Sequence, residues 1–211
     1  MRQGRNGGWI KGCTASLFTV CMGKENLCLR SGTAGTGKGM VITVKELDFN
    51  AEDLILHKVL WLIRIGDYKK LDAYIQHNQT SCFWHSVAVA YYSVRMARFL
   101  HLKCNYECLA VGALLHDYVF YDWHEKDKSH RFHGLRHPKT AWHNALKIKN
   151  LDKLEDDIIR KHMFPLTPYP PVYKESIIVC LVDKACSLYE ITNRNAYQGL
   201  TRKYAAYLMI A

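Results

Sequence analysis

No stretch of the sequence approaches the ~20 consecutive apolar residues a helix needs to cross a bilayer. Residues 13–22 also make a poor leader peptide, because their apolar core is short and mixed and shows no small-x-small cleavage pattern. No membrane is therefore expected as a partner, and the expected location is cytoplasmic. Eight cysteines stand at positions 13, 21, 28, 82, 104, 108, 180 and 186, yet no two form a Cys-x-x-Cys pair. That absence argues against a zinc ribbon or a dithiol redox centre, and most of the later cysteines fall within apolar helical patterns. They are expected to be buried free thiols in a reducing compartment. Internal repeats and convincing strand pairs are lacking too, which leaves an all-α class.

Acidic residues are the scarcer charge, 19 against 29 Lys and Arg, for a net charge of +10. Half of that excess lies in residues 1–39, which carry six basic residues and one acid. The rest of the chain is only mildly basic. A nucleic-acid binder would want a basic stripe on its folded body, so nucleic acid is an unlikely partner. A mildly positive body suits an anionic small substrate.

Residues 1–39 read as an N-terminal extension, rich in Gly, Ser, Thr and basic residues, without sustained period, and are expected to be disordered. Within them Gly32-Thr-Ala-Gly-Thr-Gly-Lys38 has the spacing of a phosphate loop. Gly39 stands where that motif needs a magnesium-binding hydroxyl, and no helix is expected to follow. The motif is set aside. Residues 40–211 form the expected folded unit.

Helical periodicity begins at Asn50, with Leu54, Leu56, Val59, Leu60, Leu62 and Ile63 on one face up to Gly66. A short helix is expected over 67–77. A long one over 82–102 is capped by Thr80 or Ser81, with Val87, Val89, Ala90, Val94, Ala97 and Phe99 facing inward. Asn105 caps the next, which runs through Leu109, Val111, Leu114 and Leu115 into His116-Asp117. Residues 123–136 are polar and read as a loop. His137-Pro138 restarts a helix with Pro at its first position, and 152–162 form another, with Glu155-Asp156-Asp157 as its solvated face. The segment 165–171 cannot continue a helix. Helices over 172–191 and 198–210 close the chain.

The His116-Asp117 doublet ends an apolar helix, and a buried imidazole or carboxylate is costly unless paired or bound to a cation. His85 and Asp183, on other apolar helices, can complete a shell around one ion. His137 and His162 can serve a second, with Asp117 as the bridging carboxylate. One or two divalent ions (Fe, Mn, Ni, Co or Mg) are expected, with Asp117 and His116 as the catalytic centre. His143 is a possible substitute ligand that more simply packs or faces solvent. His57, His77 and His101 are read as structural or exposed, and the aromatic cluster at 118–123 as packing.

The order His85, His116-Asp117, Asp183 resembles the HD-domain superfamily of metal-dependent phosphohydrolases. Thr80-Ser-Cys-Phe-Trp-His85-Ser86 looks like the family's first histidine segment, Ala113-Leu-Leu-His116-Asp117 like its doublet, and Leu181-Val182-Asp183-Lys184 like its last ligand. His137-Pro138 and His162 resemble the subset that binds two metals. The resemblance covers about residues 77–190 and implies a single helical bundle. One departure is that many members carry a lysine soon after the doublet, where this chain has the aromatic and apolar Tyr118–Tyr121.

The implied activity is cleavage of a phosphate ester, of a nucleotide or another small phosphorylated molecule, through a metal-bound hydroxide. Lys126, Lys128, Arg131, Arg136 and Lys139 are candidates to clamp the phosphate. The competing readings are an HD-type di-iron oxygenase, a non-catalytic HD regulatory domain, and a nucleic-acid binder acting through the basic tail.

Overall fold

A computed structural model of the chain describes residues 18–22, 27–31, 41–42, 50–121 and 133–208. The chain divides into two compact units, Met1–Asn50 and Ala51–Ala211. In the first, strands β1 (Phe18–Met22), β2 (Leu27–Ser31) and β3 (Val41–Ile42) pair antiparallel in that order. The expectation of no strand pairs is thus corrected. Strands of five and two residues are too short for an alternating pattern to stand out in the sequence. The Gly-rich motif at 32–38 lies outside the described residues.

The second unit is helical, as its periodicity predicts. Helix α1 (Ala51–Ile65) buries Leu54, Ile55, Val59 and Leu62, a stripe at helical spacing, with Leu56, Leu60 and Ile63 half-buried against the core. The helix expected over 67–77 is instead a 3-10 turn, Tyr68–Ala73, followed by β4 (Ile75–His77) paired with β5 (Thr80–Ser81). Asn78 adopts φ 54°, a left-handed conformation that reverses the chain and forbids a continuous helix there. Ser81 then caps α2 (Cys82–Phe99), accepting from the Trp84 backbone N–H, while its own hydroxyl donates to Asp72 at 2.6 Å.

Helix α2 is buried along most of its circumference and packs against both α3 (Tyr106–Leu115) and α6 (Lys174–Thr192). It stops short of the expected end, and Phe99, expected inside, is 82% exposed. The chain has left the core by that point, and His101 turns it with φ 50°. Asn105 caps α3 as expected, and every residue from Leu109 to Leu115 is buried. Gly112 lets α5 (Lys153–Lys161) lie close: a Cβ there would meet Ile158 Cδ1 at 2.7 Å.

Helix α4 (His133–Ile148) begins four residues before His137, so Pro138 lies inside the helix and not at its first position. Helix α5 starts with a capping box in which Asp152 accepts from the backbone of its first turn and Glu155 accepts from the Asp152 N–H at 2.9 Å. The expected solvated face of α5 is largely buried. Glu155 also takes the Lys149 ammonium, and Asp157 takes Lys161 and the Val172 N–H. Burial would raise the Asp157 pKa, but those partners outweigh it and hold it below the usual range. Helix α7 (Gln198–Leu208) covers the unit with Leu200, Tyr204 and Leu208.

The five described cysteines of this unit are free thiols, with Cys82, Cys180 and Cys186 buried and Cys104 and Cys108 half-buried. Tyr118 stacks on Tyr68 with ring centroids 6.0 Å apart, and Phe120 packs edge-on against it, in keeping with a packing role. Among the described residues no helix is long and apolar enough to cross a membrane.

Candidate metal centre

Three helices and the ends of two others converge on a buried set of imidazoles and carboxylates. His85 sits in the first turn of α2, and His116 caps the C-terminus of α3 with Asp117 next to it. His137 projects from α4, His162 caps the C-terminus of α5, and Asp183 lies midway along α6. None of the six is more than 6% exposed. So many buried polar groups are costly unless something satisfies them together.

They fall into two groups. His85, His116 and Asp183 offer donor atoms within 4.8 Å of one another, and so do Asp117, His137 and His162. Asp117 faces both. Its Oδ2 lies 3.6 Å from His85 Nε2 and 3.4 Å from His116 Nε2, while its Oδ1 lies 3.0 Å from His137 Nε2 and 3.5 Å from His162 Nε2. Asp183 Oδ1 stands 3.2 Å from His85 Nε2 and 3.6 Å from His116 Nε2.

The far side of three rings is anchored. His116 Nδ1 donates to the Ala113 carbonyl at 2.7 Å, and His162 Nδ1 to the Ile159 carbonyl at 2.9 Å. His85 Nδ1 lies 2.9 and 3.0 Å from the two Glu190 oxygens. An Nδ1–H held this way leaves Nε2 as the lone-pair atom of the neutral ring, and all three Nε2 atoms face inward. His137 Nε2 approaches His162 Nε2 to 2.7 Å, so two ring nitrogens meet head-on.

Charge follows from this crowding. Burial pulls the Asp117 pKa up, but His116, His137 and His162 outweigh it and hold the carboxyl well below the usual range. Burial likewise opposes ionisation of Asp183, and the His116 and His85 rings overcome it. Burial would lower His85, yet Asp183 and Glu190 raise it well above an ordinary histidine, and Asp117 with Asp183 raises His116. His162 goes the other way, because burial and the adjoining His137 and His116 rings lower it to about 3. The second group therefore presents His162 as a neutral ligand at any physiological pH.

The residues fit divalent cations. His116 Nε2 and Asp117 Oδ1 are buried without a hydrogen-bond partner, and both are aimed into the clusters. Four imidazoles and two carboxylates are a donor set suited to first-row transition ions, whereas magnesium prefers oxygen. Asp117, His137, His162 and Asp183 form the floor of a cavity of about 650 Å3, also lined by Gln76, His77 and Lys184.

All six expected ligands come together. Of the expected phosphate clamps, Arg136 and Lys139 are exposed on α4 and are not among the described residues lining the cavity. Lys126, Lys128 and Arg131 lie outside the described residues. His143, His57 and His101 are exposed, as read from the sequence. His77 is half-buried at the cavity wall, its ring 6.1 Å from that of His85, which the sequence reading did not anticipate.

Three further residues were missed. Gln76 Nε2 donates to Asp117 Oδ2 at 2.7 Å and fixes the carboxylate between the two groups. Lys184 Nζ donates to the His162 carbonyl at 2.8 Å, tying the end of α5 to α6. Glu190 is wholly buried against His85. Its spacing held a signal, since seven residues after Asp183 is two helical turns and the same face. Gln76 offered none.

The HD domain family model matches residues 83–187, a span that contains all six clustered residues. No curated protein and no solved structure matches the chain.

Proposed function

Because the chain belongs to the HD-domain family, we propose that it is a metal-dependent phosphohydrolase that cleaves a small phosphate monoester. The observation that carries this reading is Asp117, whose two oxygens address two adjacent donor groups from one buried side chain. A carboxylate so placed suits two ions acting as a pair, with His85, His116 and Asp183 holding one and His137 and His162 the other. The imidazole-rich set favours manganese, iron, cobalt or nickel over magnesium.

Bound there, divalent ions would polarise the phosphoryl oxygens and make a coordinated water acidic near neutral pH. The chain supplies the rest. Glu190, Ala113 and Ile159 hold three rings in the tautomer that turns Nε2 inward, so little reorganisation is needed on binding. Gln76 keeps the shared carboxylate from rotating. The cavity admits the ester from one side, and low exposure of the floor keeps bulk water from screening the charge that develops on phosphorus. Water adds to phosphorus, the ester P–O bond breaks, and the alcohol leaves with the proton while inorganic phosphate remains.

The test is phosphate release from generic monoesters by protein loaded separately with manganese, iron, cobalt or nickel, alongside Asp117→Asn. Metal-dependent release that the variant loses by at least a hundredfold supports the reading. No release with any of the metals would remove it, and oxygen uptake with an iron optical band would move the assignment to an oxygenase.

A further inference from the structure

The cavity above the donor groups has two kinds of wall. Its floor is ionic, but its mouth is formed by Met163, Pro165 and Leu166, from the segment after α5, and by Leu188 and Ile191 on α6. Leu166, Leu188 and Ile191 are 57%, 66% and 60% exposed. Large aliphatic side chains left this open at the rim of a charged floor are a poor arrangement in water, and a ligand that covers them removes the cost.

Among the described residues, the long polar side chains of the same lining are already engaged. The amide of Gln76 donates to Asp117 and its oxygen accepts from Cys82 Sγ at 3.2 Å. Lys184 Nζ donates to the carbonyls of His162 and Cys180. A nucleoside seated on this wall would press its hydrogen-bonding edges against hydrocarbon, which a pocket of this kind disfavours. An alkyl chain would not.

We propose that the Leu166, Leu188 and Ile191 wall binds the alcohol half of the substrate, so that the protein prefers phosphate monoesters of aliphatic alcohols of several carbons over nucleotides. This rests on the phosphohydrolase reading for its chemistry, though the apolar wall itself does not. Two arms separate them. In the first, metal-loaded full-length protein is given straight-chain alkyl phosphates from ethyl to octyl, with adenosine monophosphate as comparison. In the second, the matching alkylphosphonates, which cannot be hydrolysed, are titrated calorimetrically.

The expected result is that kcat/KM and phosphonate affinity each rise about two- to fourfold per methylene until the wall is covered. Hexyl phosphate should outrun the nucleotide. Leu188→Ser combined with Ile191→Ser, at positions exposed enough to leave the fold intact by circular dichroism, should flatten both slopes. If phosphonates bind with the slope but no ester is cleaved, the wall stands and the hydrolase reading falls. Cleavage without any chain-length dependence, a preference for the nucleotide, or an unaltered slope in the double variant overturns the wall. A double variant that changes oligomeric state while the slopes persist assigns these side chains to a protein contact and overturns it as well.

Discussion

Exchanging Glu190 for glutamine removes one charge while keeping an oxygen where His85 needs it. The carboxylate is wholly buried and both its oxygens lie within 3.0 Å of His85 Nδ1. Glutamine can still accept that N–H, so ring orientation survives, but the imidazole becomes a weaker base toward a cation at Nε2. Outer-shell changes of this kind cost about 10- to 100-fold in metal affinity, which is about 1.4–2.7 kcal/mol. A second effect has the opposite sign. Glu190 also helps raise the His85 pKa, after the larger contribution of Asp183, so its loss weakens the proton that competes with the metal. The net loss should therefore be greatest toward alkaline pH, where proton competition is weakest, and should shrink as pH falls. Calorimetric titration of manganese between pH 7 and 9 reads both features. Equal affinity of Glu190→Gln and wild type at pH 9, with unchanged helical content, would refute the role given to Glu190. Glu190→Ala differs in kind, since it strands a buried Nδ1–H at a cost of about 1–3 kcal/mol and should lower Tm in the metal-free protein too.

His162→Ala should lower metal content from two ions per chain to one, read by elemental analysis; a persistent value of two would show that His162 holds none. Metal uptake should weaken as pH falls, because His85 and His116 have raised pKa values and must surrender protons, whereas His162, lowered to about 3, has none to lose. Titration in two buffers of different ionisation enthalpy measures that release, and binding without proton release near neutral pH would contradict it. Gly112→Ala adds a methyl 2.7 Å from Ile158 Cδ1 and 3.1 Å from its Cβ, inside a fully buried contact. The overpacking, about 1–3 kcal/mol, should outweigh a helix-propensity gain of about 1 kcal/mol, lower Tm by several degrees, and be relieved by Ile158→Val; a raised Tm would show that the helices simply move apart.

The doublet at 116–117 was legible because a helix that stays apolar from Leu109 to Leu115 has no surface reason to end in a histidine and an aspartate. His162 was legible for a related reason, as the last residue of a capped helix whose other face is apolar. Glu190 carried its one signal in the two-turn spacing from Asp183; beside Tyr189 and Ile191, both exposed, it looks locally like an ordinary solvated acid. Gln76 reaches Asp117 from a three-residue strand, and nothing local marks so short an element. Glu155 and Asp157 looked solvated because the partners that allow them to be buried include Lys149, on the preceding helix, and the Val172 N–H, from beyond the end of α5, besides Lys161 one turn along the same helix. Pro138 suggested a helix start, but the preceding turn, from His133, already lay in helical geometry.

Whether two cations share Asp117 can be read most directly from the metal content of chain loaded with manganese and freed of excess, compared with Asp117→Asn at equal helical content. Two ions per wild-type chain, and fewer than one in the variant, are predicted. Two ions retained by Asp117→Asn, or none held by the wild type, would contradict the shared-carboxylate centre.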